Sequence, residues 1–179
     1  MPEARTNTEI IMYREGVASL LEAHANKMIN NGLPEHAAVL FEQFFKNAQE
    51  QVCIFCKNLA APVFGRQFVV DAAREALGRG IRIEILLQDS QPEQSSFTDL
   101  LRKAPSGVTI TTAQSEVAKT FKVNFAVMDL RAYRFEEDRE RFKATANMFD
   151  PCIAAKLFQK FVEQQQTNST KLIWAAANG

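Results

Sequence analysis

Ala76-Leu77-Gly78-Arg79-Gly80-Ile81-Arg82-Ile83-Glu84-Ile85-Leu86-Leu87 changes its hydrophobic period partway along. Upstream, Val69, Ala72, Ala73, Ala76 and Leu77 fall at helical spacing; downstream, Ile81, Ile83, Ile85 and Leu87 alternate with Arg82 and Glu84 as a strand does. Gly78-Arg79-Gly80 lies between them and tolerates the left-handed backbone on which helices end. An earlier apolar run, Val52–Cys56, reads as another strand, joined to the helix through the loop Lys57-Asn58-Leu59-Ala60-Ala61-Pro62. Residues 52–87 therefore spell strand, helix, strand, a βαβ unit that commits the chain to an α/β fold.

Downstream, Ser96-Phe97-Thr98-Asp99 fits a capping box with Asp in the usual Glu/Gln place, opening a short helix through Leu100, Leu101 and Ala104. Pro105-Ser106-Gly107 breaks it, and Val108–Thr112 is a third strand. Lys122–Met128 alternates, with Val123, Phe125 and Val127 on one face and Lys122, Asn124, Ala126 and Met128 on the other. Ala132–Glu136 and Phe142–Phe149 flank the charged turn Glu137-Asp138-Arg139-Glu140 and predict an antiparallel hairpin, which makes the sheet mixed. Asp150-Pro151 caps a closing helix with Ala154, Leu157, Phe158 and Phe161 inward.

Upstream of residue 51 the pattern is helical. Ile10, Tyr13, Val17, Leu20, Leu21, His24 and Met28 form one apolar stripe, and Asn30-Asn31-Gly32 predicts its stop. Leu33-Pro34-Glu35 starts a second helix whose stripe, Ala37, Leu40, Phe41, Phe44, Phe45 and Ala48, is so aromatic that something must cover it. The expected organisation is a pair of N-terminal amphipathic helices over residues 1–50 packed on a body over 51–165, with a polar tail over 166–179, loose up to Leu172-Ile173-Trp174.

The 179 residues are enough for one domain, and 46% hydrophobic content supports a real core. Lys+Arg and Asp+Glu both number 21, so no bulk attraction to nucleic acid or anionic membrane is built in, and a histone-like role is excluded. No apolar run approaches the roughly 18–20 residues of a membrane span, and Met1–Ile10 lacks a signal pattern, so the expected location is the cytoplasm. Three cysteines cannot all pair. Cys53 and Cys56, three apart on a strand, point to opposite faces, which suits buried thiols rather than a CxxC redox turn or a zinc knuckle.

Both histidines, His24 and His36, belong to the N-terminal segment, so histidine-dependent acid–base or nucleophilic schemes have nothing to work with in the α/β body. His24 sits on its helix's apolar stripe and reads as a packed core residue. Phosphate-cradling glycine loops, zinc motifs and calcium loops are absent from the sequence, so no cofactor or metal is expected. Glu136-Glu137-Asp138 stands beside Arg139 and Arg141, and with Arg131, Arg134 and Lys143 forms an interleaved set of charges that reads as a solvated, self-neutralising hairpin.

The order of these elements resembles one half of the phospholipase D fold, over about residues 40–163. The Ala76–Leu87 segment is of a type common in that superfamily, whose later strand carries the signature His-x-Lys, four residues, Asp, followed by Gly-Ser and an Asn. Carried across by position, Asp129 takes the Asp place, Asn124 the Lys place and Lys122 the His place, while Ala144-Thr145-Ala146-Asn147 keeps only the Asn of the later stretch. The family's reaction runs through a phosphohistidine, so the resemblance implies a domain without the hydrolase nucleophile and with no catalytic residues of its own.

The resemblance implies a groove carrying Lys57, Asn58, Lys122, Asn124, Asp129 and Asn147, all compatible with holding a phosphodiester such as nucleic acid. It also implies pairing of two copies. The alternatives are a protein-interaction adaptor working as a homodimer and a divergent phosphodiesterase or nuclease using Lys122, Asp129 or a bound metal.

Overall fold

The computed structural model describes residues 2–171 except 105, 114, 115 and 117–119, with side chains described from residue 7 to residue 166. Its elements are α1 (Pro2–Glu22), β1 (Met28–Asn31), α2 (Pro34–Asn47), β2 (Gln51–Cys56), α3 (Ala61–Phe64), α4 (Gln67–Gly78), β3 (Arg82–Leu87), α5 (Ser96–Lys103), β4 (Val108–Ala113), β5 (Asn124–Met128), β6 (Ala132–Asp138), β7 (Lys143–Asn147), α6 (Pro151–Asn168) and β8 (Ser169–Lys171). The strands form one sheet in the order β1-β7-β6-β5-β2-β3-β4-β8. β2, β3 and β4 are parallel, as the βαβ reading requires, and every other pairing is antiparallel. The expected mixed sheet flanked by helices is the observed architecture.

Pleat alternation sorts the strand residues onto two cores. Val52, Ile54 and Cys56 of β2, with Ala126 and Met128 of β5, pack beneath α2, α4 and α5. Cys53, Phe55, Phe125 and Val127 face α6, which contributes Ala154 and Phe161. The two β2 cysteines are thus buried on opposite faces, and Cys152 is exposed.

α2 is the centre of the larger layer. Pro34 opens it and Glu35 lies in its first turn, where negative charge suits the positive helix end. Every residue from Ala37 to Phe45 is buried. The aromatic stripe meets α3 and α5, with ring centroids 4.5 Å apart for Phe41 and Phe64, 5.1 Å for Phe64 and Phe97, and 5.8 Å for Phe45 and Phe97. Outside, α1 covers α2: Val17 and Leu21 are buried, and Arg14 pairs with the buried Glu42 at 2.7 Å.

Several local expectations change. α1 ends at Glu22, with His24 in left-handed backbone (φ 47°), so the helix stops before Asn30-Asn31-Gly32. Met28–Asn31 instead pairs antiparallel with β7 as the sheet's edge strand, putting part of the N-terminal segment in the same sheet as the body. Ladder hydrogen bonds to β7 outweigh an apolar period that only coincidentally reaches Met28. His24 is exposed, its ring 5.1 Å from that of Phe149, rather than packed in the core. The capping box begins one residue earlier: Ser95 accepts from the Thr98 amide and Thr98 Oγ1 accepts from the Ser95 amide, because a threonine hydroxyl closes the box as a carboxylate would. Within the tail, Ser169–Lys171 pairs with β4 rather than hanging loose; Leu172-Ile173-Trp174 falls outside the described residues.

Candidate functional site

From β2 the chain proceeds to β3 and β4 on one side and returns to β5 on the other, so the strand order reverses between β2 and β5. In open α/β sheets such a switch point leaves a crevice beyond the strand ends. A cavity of about 370 Å³ lies there, lined by Cys56, Lys57 and Asn58 at the end of β2, Asn124 at the start of β5, Glu136 near the end of β6 and Arg139 in the hairpin. Phe41, Phe64 and Phe142 supply much of its apolar wall.

Its floor is a hydrogen-bonded chain crossing five neighbouring strands. Asn31 of β1 accepts from Arg134 Nε at 3.2 Å; Arg134 Nη2 donates to Glu136 Oε1 at 2.7 Å; Asn124 Nδ2 donates to Glu136 Oε2 at 2.5 Å; and the Lys57 amide donates to Asn124 Oδ1 at 3.1 Å. Register makes this possible. Asn124 opposes Glu136, and Ala126 opposes Arg134. Across β7, Ala146 opposes Arg134 and Ala144 opposes Glu136. Three alanines leave room for a guanidinium and a carboxylate to lie across the sheet. Both side chains are only 4% exposed, so each charge depends on the other.

The rim is more open. Lys57 is exposed. Arg139 donates to Gln88, whose amide in turn donates to the Phe121 carbonyl, so the β6–β7 hairpin, the loop after β3 and the approach to β5 are tied together. Glu93 braces the opposite side by accepting from the Ala61 amide at 3.1 Å. Burial pushes the Cys56 thiol up to about 12, so this lining group is no thiolate nucleophile at neutral pH.

Of the residues expected in the groove, Lys57, Asn58 and Asn124 come together. Lys122 is exposed, lies ahead of β5 and does not line the cavity. Asp129, at the opposite end of β5, accepts backbone N–H bonds from Gln49, Glu50 and Gln51 at 2.8, 2.9 and 3.0 Å and so fastens the α2–β2 connection. Asn147 is buried at that same far end, accepting from the Phe149 amide and donating to Asn26. The pleat that turns Ala146 and Met148 toward the helical layer turns Asn147 to the other face. Neither histidine lines the cavity.

The reading of the hairpin as wholly solvated is corrected. Glu137–Lys143 and Asp138–Arg141 are exposed pairs, but Arg134 and Glu136 are buried floor residues. The signal was in the sequence: alternation from Ala132 places Arg134 and Glu136 on one face of β6, and the pairing to β5 sets Glu136 beside Asn124.

This architecture is shared with solved structures. Nuc from Salmonella typhimurium, a phospholipase D family member, superposes with a TM-score of 0.61 at 13% identity, covering 82% of this chain and 98% of that one. NucT from Helicobacter pylori gives 0.59 at 14% identity, over 80% of this chain and 98% of its own. TrmBL2, an archaeal chromatin protein whose structure shows a novel mode of DNA binding, gives 0.58 at 13% identity, over 93% of this chain and 65% of its own. The chain therefore has a phospholipase D-like fold. Residues 33–171 match the family described as Domain of unknown function (DUF7931), and the protein belongs to that family. No curated protein matches the sequence.

Proposed function

We propose that this protein is a non-catalytic phospholipase D-like binding domain that holds a phosphodiester, with single-stranded nucleic acid as the ligand class. The observation that carries the reading is Asn124. At the position that the phospholipase D resemblance gives to the signature lysine stands a neutral amide, engaged by Glu136 on one side and by the Lys57 backbone on the other. Lys122, at the histidine place, is exposed outside the cavity. The crevice thus holds a self-satisfied polar chain at the signature lysine's place, and no histidine lines it. Lys57 and Arg139 are the cations at its rim, suited to phosphate oxygens. The likeness to a chromatin protein supports the nucleic-acid class.

The test is fluorescence anisotropy with labelled single- and double-stranded oligonucleotides at low and moderate salt, beside a phosphodiesterase assay. Expected are salt-weakened binding, a several-fold loss in Lys57→Ala, and no turnover of a chromogenic phosphodiester. Absence of binding at low salt, or turnover of the phosphodiester by the purified protein, overturns it. The reading carries with it the cytoplasmic location and the homodimer expected from the sequence; light scattering distinguishes a monomer of 20.1 kDa from a species of twice that mass.

A further inference from the structure

The cavity's charges do not suit a phosphate throughout. Glu136 lies at the floor and Glu93 and Glu140 also line the cavity, while the floor's guanidinium, Arg134, is paired with Glu136, so an anion pushed inward meets three carboxylates against one paired cation. A phosphate belongs at the rim, near Lys57 and Arg139. The floor calls for different chemistry. Glu136 accepts one hydrogen bond on each oxygen, from Arg134 and Asn124, and each oxygen has a further lone pair. Asn124 Oδ1 already accepts from the Lys57 amide. The floor's acceptors are thus the Glu136 carboxylate and Asn124 Oδ1, set beside the Arg134 and Asn124 Nδ2 donors that already serve Glu136, and the remaining carboxylate lone pairs complement a neutral edge that presents N–H donors.

The wall above is aromatic, with Phe41, Phe64 and Phe142, and the volume of about 370 Å³ is at the small end of the roughly 300–1,000 Å³ of ligand pockets. That admits one flat heterocycle and excludes a base pair. We infer that the cavity receives a single unpaired nucleobase whose N–H edge meets Glu136 while its backbone phosphate stays at the rim beside Lys57 and Arg139. This rests on the nucleic-acid reading above and specifies which part of the strand enters. Among bases, guanine fits best, because its ring N–H and amino group present adjacent donors to a carboxylate; thymine offers one.

The experiment compares two labelled probes of equal charge: a twelve-nucleotide abasic phosphodiester chain and the same chain carrying one central guanine. The guanine probe is expected to bind about tenfold more tightly, as stacking and edge contacts of one base provide. Ala60→Leu, which adds bulk to the cavity lining while leaving Glu136 and Lys57 in place, is expected to abolish that preference and retain binding of the abasic chain. Equal binding of the two probes by the unsubstituted protein overturns the base-insertion inference and leaves phosphodiester binding standing. Failure of both probes to bind at low salt overturns the underlying reading as well.

Discussion

Arg134 and Glu136 stand two residues apart on the same face of β6 and form an ion pair at 2.7 Å in which both side chains are 4% exposed. The pair is the hub of the cavity floor, since Arg134 continues to Asn31 and Glu136 to Asn124. Its cost is the desolvation of two charges, offset only while both are present. Removing one partner should therefore be worse than removing both. Arg134→Met alone is expected to lower unfolding free energy by about 3–5 kcal/mol, and Arg134→Met combined with Glu136→Leu to recover most of that loss. Urea denaturation of the two variants beside the parent measures it, and strictly additive losses would refute the coupling.

Asp129 is expected to matter for folding and not for ligand. It accepts three backbone N–H bonds from the α2–β2 connection and sits in left-handed backbone at φ 49°. Asp129→Ala leaves those donors without their acceptor and places alanine in a conformation it resists, a loss of about 2–4 kcal/mol. Asp129→Asn tolerates the backbone and keeps one acceptor oxygen, so its loss should be smaller. Thermal unfolding ranks the three proteins, and oligonucleotide affinity of folded Asp129→Asn should match the parent.

Thiol chemistry should distinguish one cysteine from two. Cys53 and Cys56 are buried, and burial pushes both thiols up from 9.0 to about 12, whereas Cys152 is exposed. A disulfide reagent at mildly alkaline pH should titrate Cys152 in the native protein and all 3 cysteines after denaturation. The folded state holds the two buried protons more tightly than the unfolded chain does. That stabilisation is complete below pH 9.0 and is lost as pH rises through about 12. Tyr13, also raised to about 12 by burial, adds to the same alkaline loss above its ordinary 10.0.

Mild acid should loosen α1. Its Tyr13 ring stacks on His36 of α2 with centroids 4.1 Å apart, and His36 Nδ1 is buried without a partner. Burial holds His36 below its ordinary 6.5, against the opposing pull of Glu35 and Glu9. The folded state favours the neutral ring, so its contribution is present above pH 6.5 and is lost as pH falls below it. The urea midpoint should drop between about pH 7.5 and 5.5, and His36→Phe should drop less. Equal drops in both proteins would show that the acid sensitivity lies elsewhere.

By itself the sequence determined the α/β class, the parallel unit over residues 52–87 and the opposite facing of Cys53 and Cys56. These follow from local periodicity and residue identity, which each short segment carries within itself. That Lys57, Asn58 and Asn124 would lie together at the cavity was legible for a related reason: each lies next to a strand end that the periodicity had already placed. Tertiary structure alone decided the rest. Met28–Asn31 became a strand because β7 offered it hydrogen bonds, a partner more than a hundred residues away in sequence. Asp129 and Asn147 left the groove because β5 and β7 run away from it and end at the far side of the sheet. Arg134 and Glu136 entered it because strand register set them among three alanines and opposite Asn124. Long-range pairing fixes which charges lose water, and a buried charge takes its chemistry from the partner that pairing supplies.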